Sequence, residues 1–140
     1  MNTVLLVEDN ESNASILQDM FEFDGIPAKL VTVQSGEDAL RVASQLNPAL
    51  ILMDLRMPGI DGLEATLFLR MNAQTRDIPI WAITAYAMEG DEERAREAGC
   101  DDYITKPINS KKMAEKLNKF LEQREGRDAP TETGSRPEGR

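Results

Sequence analysis

One pattern constrains the fold of this chain more than any other: a short apolar run is followed by a segment with apolar residues at helical spacing, and this happens five times. The runs are residues 4–7, 28–33, 50–53, 79–83 and 103–105. The helical segments are 10–23, 35–46, a third carrying Leu63, Leu67 and Leu69, 89–98, and a fifth marked by Met113, Leu117, Phe120 and Leu121. Strands that alternate with helices pair in parallel through right-handed crossovers. The pattern therefore predicts a doubly wound α/β fold with helices on both faces of a five-stranded sheet.

Composition limits the classes of function. The 140 residues suit one domain. The formal charge of −9 argues against nucleic acid as a partner, because phosphate binding needs a basic surface. No apolar run approaches the ~20 residues of a membrane-spanning helix, and the single cysteine excludes an internal disulfide. With no histidine in the chain, a histidine base or ligand is excluded, and we expect a cytoplasmic protein without membrane contact.

The predicted domain covers residues 1–123, and residues 124–140 are predicted to be a disordered tail. From about Gly126 the chain consists of glycine, proline, threonine, serine, glutamate, arginine and related polar residues, and Ala129 is its only apolar side chain. Such a segment lacks the apolar surface needed to offset the entropy of ordering.

Chemically active side chains follow the predicted strands. Glu8 and Asp9 follow the first strand, Asp54 the third, Thr84 the fourth and Lys106 the fifth. In an open parallel sheet, ligands bind outside the carboxyl ends of the strands, so these five residues are predicted to converge at one edge.

This set of side chains suggests magnesium-assisted chemistry at a carboxylate. Acidic, oxygen-rich sites suit Mg²⁺, and a carboxylate can attack phosphorus to form an aspartyl phosphate. Asp54 leads out of the most apolar strand and is the best-placed nucleophile. Each residue alone could have an ordinary structural role, as a helix cap, a strand threonine or a surface lysine. The fact that all of them follow strands of one sheet favours a functional site.

Four segments in order carry a resemblance to a known family: residues 7–10, Val-Glu-Asp-Asn; residues 53–62, which begin Met-Asp and end Asp-Gly; residues 83–85, Ile-Thr-Ala; and the pair Lys106-Pro107. Over residues 3–121 the chain resembles the response-regulator receiver domains of two-component signalling. The resemblance implies the flavodoxin-like receiver fold, with parallel strands in the order 2-1-3-4-5.

The resemblance also implies a role for individual residues. Asp54 matches the phosphorylated aspartate. Glu8, Asp9, Asp54 and the backbone carbonyl of Arg56 match the ligands of the Mg²⁺ cofactor, with Asp9 the more direct ligand and Glu8 acting partly through water.

Further positions match the phosphoryl-binding and switch residues of the family. Thr84 and Lys106 match the groups that bind the phosphoryl oxygens, and the small Ala85 leaves room for them. Tyr103 matches an aromatic residue that turns inward when Thr84 moves, and the Lys106–Pro107 peptide bond is expected to be cis.

The remaining implications concern turnover and partners. Arg56 and Tyr86 lie two residues beyond Asp54 and Thr84, where they are predicted to tune the rate of dephosphorylation. The phosphoryl donor is expected to be a histidine kinase or a histidine phosphotransfer protein. A downstream effector protein is expected to bind the face formed by the fourth helix, the fifth strand and the fifth helix.

Two alternatives remain open at the level of sequence. A phosphatase resembling the haloacid-dehalogenase group would carry a second aspartate two residues after the first, where this chain has Arg56. A receiver-like adaptor would bind partners without accepting phosphate, although none of the five expected residues is missing. Phosphorylation by acetyl phosphate that is lost in Asp54→Asn would separate these readings.

Overall fold

The computed structural model describes residues 2–85 and 88–128, with the backbone alone described for 125–128. Five strands alternate with five helices. In chain order these are β1 (Asn2–Val7), α1 (Glu11–Phe23), β2 (Ala28–Val33), α2 (Gly36–Leu46), β3 (Leu50–Asp54), α3 (Gly62–Met71), β4 (Ile80–Thr84), α4 (Asp91–Ala98), β5 (Asp102–Thr105) and α5 (Ser110–Asp128).

All five strands form one parallel sheet in the order β2-β1-β3-β4-β5, which confirms the predicted architecture. The order reverses direction at β1, so β1 and β3 lie side by side at the centre although α1, β2 and α2 separate them in the chain. Crevices for ligands form at such a switch point, beyond the carboxyl ends of the strands.

Local signals in the sequence explain where the helices begin and end. The side chains of Asn10 and Ser35 accept hydrogen bonds from backbone N–H groups in the first turns of α1 and α2. Asp61 and Glu64 form a reciprocal capping box at the start of α3. Gly99 ends α4 with a φ of 118°, a left-handed conformation that a side chain would strain.

Two apolar cores lie on opposite faces of the sheet. One packs α1 and α5 against it, and here Trp81 meets the ring of Phe120 edge-on at 5.4 Å between centroids. The other packs α2, α3 and α4 against the opposite face. Residues 4–7 of β1 and 50–53 of β3 alternate between the two cores and are fully buried, as expected for central parallel strands.

Two details differ from the sequence pattern. Of the leucines predicted to mark α3, Leu69 is buried but Leu67 is half-exposed, because Leu67 lies on the outer side of the helix. The helix α5 continues to Asp128, so the predicted boundary at residue 123 falls inside a helix. The rest of the predicted tail, 129–140, lies outside the described residues. Among the described helices, none has the length and apolar character needed to cross a membrane.

Candidate functional site

The carboxyl ends of four strands meet at one edge of the sheet. Glu8 directly follows β1, Asp54 ends β3, Thr84 ends β4 and Lys106 directly follows β5. Within the sheet Asp54 is in register with Ile83, next to Thr84. The parallel register thus brings together residues that lie up to 98 positions apart in the sequence.

The centre of this edge is a buried cluster of two carboxylates and one ammonium group. Lys106 Nζ donates to Glu8 Oε1 at 2.9 Å and to Asp54 Oδ2 at 3.4 Å. The Glu8 and Asp54 side chains are only 3% and 6% exposed, and the Lys106 side chain is 13% exposed. One positive charge therefore faces two carboxylates in a region that water hardly reaches, and the site has an excess of negative charge.

Burial and this excess charge shift two pKa values. Burial, together with the neighbouring Glu8 carboxylate, raises the pKa of Asp54 from 3.8 to about 6, although the Arg56 N–H and Lys106 oppose the shift. Burial alone would lower the pKa of Lys106, but its hydrogen bond to Glu8 and the charge of Asp54 outweigh that effect and raise it. The folded protein therefore disfavours the ionised form of Asp54 and favours the ammonium form of Lys106.

A third carboxylate, Asp9, completes an acidic cluster at the exposed rim. One oxygen each of Glu8, Asp9 and Asp54 lies within 4.8 Å of the other two. Asp9 is solvent-exposed, whereas the oxygens of Glu8 already accept from Lys106 Nζ and from the backbone N–H of Asn10. An all-oxygen set with excess negative charge fits a hard divalent cation such as Mg²⁺. Of the three carboxylates, only that of Asp9 is open to solvent, whereas those of Glu8 and Asp54 are buried.

Backbone contacts hold the two buried carboxylates in place. The N–H of Arg56 donates to Asp54 Oδ1 at 3.1 Å, and the N–H of Asn10 donates to Glu8 Oε2 at 3.2 Å. The Arg56 side chain itself is exposed beside the site. Asn10 thus has two roles, because its side chain caps α1 and its backbone N–H holds Glu8, and the second was not predicted from the sequence.

Gly62 is a second residue of the site that sequence reasoning missed. A Cβ at this position would lie 2.3 Å from the backbone oxygen of Asp54 and 2.6 Å from Leu55 Cα. Only a residue without a side chain lets α3 start this close to the end of β3. Gly62 ends the segment 53–62 that carries the family resemblance, but its close contact with Asp54 exists only in the folded chain.

The other predicted residues lie around this centre. Thr84 is buried, and its carbonyl accepts the N–H of Lys106 at 2.8 Å. Ala85 is exposed at the rim. The Lys106–Pro107 peptide bond is cis, as the resemblance implied. Tyr86, predicted to tune dephosphorylation, lies outside the described residues.

Tyr103 links the site region to a surface groove. Its hydroxyl is buried and has no hydrogen-bond partner among the described residues, and burial raises its pKa, with Asp91 and Glu92 adding to the shift. The same ring lines a groove of about 320 Å³ between β5 and α5, whose other walls include Ile104, Pro107 and Lys112. This groove lies on the face predicted to bind an effector.

Comparison with known proteins identifies the family. The sequence matches the family model of the response regulator receiver domain over residues 4–118, most of the chain. The chain belongs to the response regulator receiver family. As a receiver domain it is a signalling module of two-component systems, which confirms the resemblance seen in the sequence.

Similar proteins agree with this receiver assignment. The polar-differentiation response regulator DivK of Brucella ovis is 42% identical over 119 residues, which is 85% of this chain and 95% of the relative. The receiver domain of a Pseudomonas aeruginosa sensor histidine kinase, solved with magnesium in its active-site cleft, is 34% identical with a TM-score of 0.77 and covers 86% of this chain and 98% of its own. The phosphorylated cyanobacterial phytochrome response regulator RcpA is 27% identical with a TM-score of 0.72, covering 86% and 91% of the two chains.

Proposed function

We propose that Asp54 accepts a phosphoryl group from a phosphohistidine on a histidine kinase or histidine phosphotransfer protein. The observation that carries the proposal is the buried cluster in which Lys106 faces both Glu8 and Asp54. The site has three carboxylates and one ammonium group. The carboxylates can bind a divalent cation, and that cation together with Lys106 can balance the negative charge of a phosphoryl group on Asp54. The magnesium seen in the Pseudomonas receiver domain supports the same reading.

The transfer would exchange one bond to phosphorus for another. A carboxylate oxygen of Asp54 forms the new O–P bond as the N–P bond of the phosphohistidine breaks, and the imidazole leaves with the electron pair of that bond. The Arg56 N–H, at 3.1 Å from Oδ1, orients the carboxylate for this attack. Because Asp54 is buried, little water lies beside it to compete for the phosphoryl group of the donor when transfer begins.

Charge neutralisation is the main requirement of phosphoryl transfer. Bound Mg²⁺, held by Asp9, Asp54, the Arg56 carbonyl and in part Glu8, would supply positive charge to the phosphoryl oxygens. Lys106 supplies the second positive charge from this chain, because its ammonium already lies 3.4 Å from Asp54 Oδ2.

Phosphorylation would then shift a conformational equilibrium. The new group adds roughly −1.5 to −2 charges, which Thr84 and Lys106 would bind at the ends of β4 and β5. A shift of Thr84 or Lys106 would also displace β5, which carries Tyr103 and forms one wall of the groove beside α5. We infer that an effector protein binds this α4–β5–α5 face, and that Arg56 and Tyr86 set the rate at which water removes the phosphoryl group. Because the donor is formed from cellular ATP, the proposal includes a cytoplasmic location.

Intact-mass spectrometry after incubation with acetyl phosphate and Mg²⁺ tests the proposal directly. We expect an adduct of ~80 Da that is absent in Asp54→Asn and absent when EDTA replaces Mg²⁺. The matched control Asp61→Asn changes a half-buried carboxylate that caps α3, and it should keep the adduct.

The same experiment separates the alternatives. An adaptor would form no adduct, and its spectra would not respond to beryllofluoride. A phosphatase of the aspartate type would release phosphate from added phosphomonoesters in many turnovers, whereas we expect none. Either result contradicts the proposal.

A further inference from the structure

The groove between β5 and α5 has a charge opposite to that of the whole chain. Of the nine described residues that line it, two are charged, and both are lysines, Lys112 and Lys116. The first twelve residues of α5, 110–121, contain four lysines and one glutamate, whereas the chain has a net charge of −9. Lys112, Lys116 and Lys119 are spaced so that they share one side of the helix. The α5 side of the groove is therefore a local basic surface on an acidic protein.

Ion pairs within the protein leave part of this positive charge without a counter-ion. Lys116 forms an ion pair with Asp102, the first residue of β5, and its Nζ lies 5.0 Å from the centroid of the Trp81 ring. Arg96 also approaches Asp102, at 3.7 Å, so two cations share this one carboxylate. Lys112 is exposed and forms no ion pair with any residue that the structure describes. Its ammonium group is therefore free to pair with a carboxylate of another molecule.

The acidic residues of the neighbouring helix α4 do not cancel this charge. Asp91 and Glu92 are the carboxylates of α4 whose charge acts on Tyr103, a wall of the groove. Each of them is paired within α4, Asp91 with Arg94 and Glu92 with Arg96. A pair of opposite charges has no net charge, and salt screens its remaining field within about 10 Å. The lysines of α5 thus dominate the charge next to the groove.

The rest of the groove offers apolar contact. Its apolar walls are Ile104, Pro107, Ile108 and Met113, and its volume is about 320 Å³. This volume is near the lower end of the ~300–1,000 Å³ range of ligand pockets, so the groove suits side chains of a short segment rather than a folded domain. Apolar walls with a basic rim fit a segment that combines an apolar side chain with carboxylates.

We propose that the β5–α5 groove binds a short acidic segment of the effector protein. One apolar side chain of the segment lies between β5 and α5, and its carboxylates face Lys112 and Lys116. The inference rests on the proposed role of the α4–β5–α5 face in effector binding, and it adds the chemistry of the partner. The basic side of α5 attracts such a segment while the rest of this acidic protein repels it, so the charge pattern determines where the segment binds and in which orientation.

Selection from a phage-displayed library of random twelve-residue peptides tests the inference on the full, unphosphorylated chain. A protein with a net charge of −9 attracts basic peptides without specificity, so acidic binders are the informative class. We expect the enriched peptides to have a net negative charge and at least one large apolar residue. Their dissociation constant, measured by isothermal titration calorimetry, should rise with NaCl concentration because salt screens the attraction.

Charge reversal at Lys112 distinguishes the groove from other sites. Lys112→Glu should raise the dissociation constant of an enriched acidic peptide about fivefold or more, because an attraction becomes a repulsion. The variant should fold, since Lys112 lies in the first turn of α5, where a negative charge favours the helix. The matched control is Lys29→Glu, because Lys29 is exposed on β2 at the other edge of the sheet and undergoes the same charge change. It should change the dissociation constant less than about twofold.

Three results would overturn the inference. They are a library that enriches only basic or uncharged peptides, a library that enriches no peptide, and acidic peptides whose binding Lys112→Glu weakens no more than Lys29→Glu does. The proposed phosphorylation fails or stands separately, since the adduct on Asp54 requires no peptide and the selection uses no phosphoryl donor. An adduct without acidic binders refutes the acidic partner alone, and acidic binders without an adduct refute phosphorylation alone.

Discussion

Replacing Asp54 by asparagine should stabilise the metal-free protein at neutral pH. The carboxylate is buried beside Glu8, with Lys106 as the shared counter-ion. Asparagine has nearly the same shape and can still accept the Arg56 N–H, but it carries no charge. The variant therefore leaves one ammonium facing one buried carboxylate in place of two.

The magnitude follows from the pKa of Asp54. Folding raises this pKa from 3.8 to about 6, so the folded state binds the proton more tightly than the unfolded state does. The associated stability is fully present below pH 3.8 and is lost as the pH rises through 6. A shift of this size corresponds to about 3 kcal/mol. Because the unfolded carboxyl is already partly ionised at pH 4, the advantage of Asp54→Asn over the wild type should grow by about 2 kcal/mol between pH 4 and pH 7.5.

Urea unfolding monitored by the fluorescence of Trp81, the single tryptophan, gives the free energy of unfolding at each pH. Measurements in EDTA define the metal-free difference. Adding Mg²⁺ should stabilise the wild type more than the variant, because a ligand that binds the folded state adds to its stability. The advantage of the variant should then shrink.

Asp19→Asn is the matched control, since Asp19 is exposed on α1 and remains in water in both states. Its effect on stability should change little over the same pH range. The opposing result is a difference in free energy of unfolding between Asp54→Asn and wild type that changes as little with pH as it does for the control. In that case the buried negative charge does not destabilise the folded protein, and the reasoning is wrong.

Three further substitutions test the packing at the site, at the opposite edge of the sheet and in the core beneath α5. Gly62→Ala should lower the free energy of unfolding by roughly 1–3 kcal/mol, despite alanine's better helix propensity, because its Cβ meets the backbone oxygen of Asp54; an unchanged urea midpoint would contradict this. Arg70→Met should cost about 1–3 kcal/mol, since it removes the guanidinium bonds that join the loop before β4 to the loop between α4 and β5, whereas Arg41→Met at an exposed position of α2 should cost under about 0.5 kcal/mol. Leu117→Ala should cost about 2–5 kcal/mol in thermal or urea unfolding, because Leu117 is fully buried between α5 and the sheet, and a smaller loss would mean that this core collapses around the cavity.

Much of the fold was predictable because its signals are local. The alternation of apolar runs with helical segments determined the α/β class, and the caps at Asn10, Ser35 and Gly99 determined where helices begin and end. The domain boundary at residue 123 stays a prediction, and α5 runs on to Asp128 without an apolar residue after that point.

The sequence by itself also determined the list of reactive residues, because a parallel sheet places the residues after its strands at one edge. It did not reveal that Lys106 bridges Glu8 and Asp54, that Gly62 must admit α3 against Asp54, or that Leu67 lies on the outside of α3. These facts depend on distances between residues remote in the chain. Periodicity reports which way a side chain points relative to its own helix or strand, whereas burial, pKa and close contact depend on the other elements that pack against it, and only the tertiary structure brings those elements together.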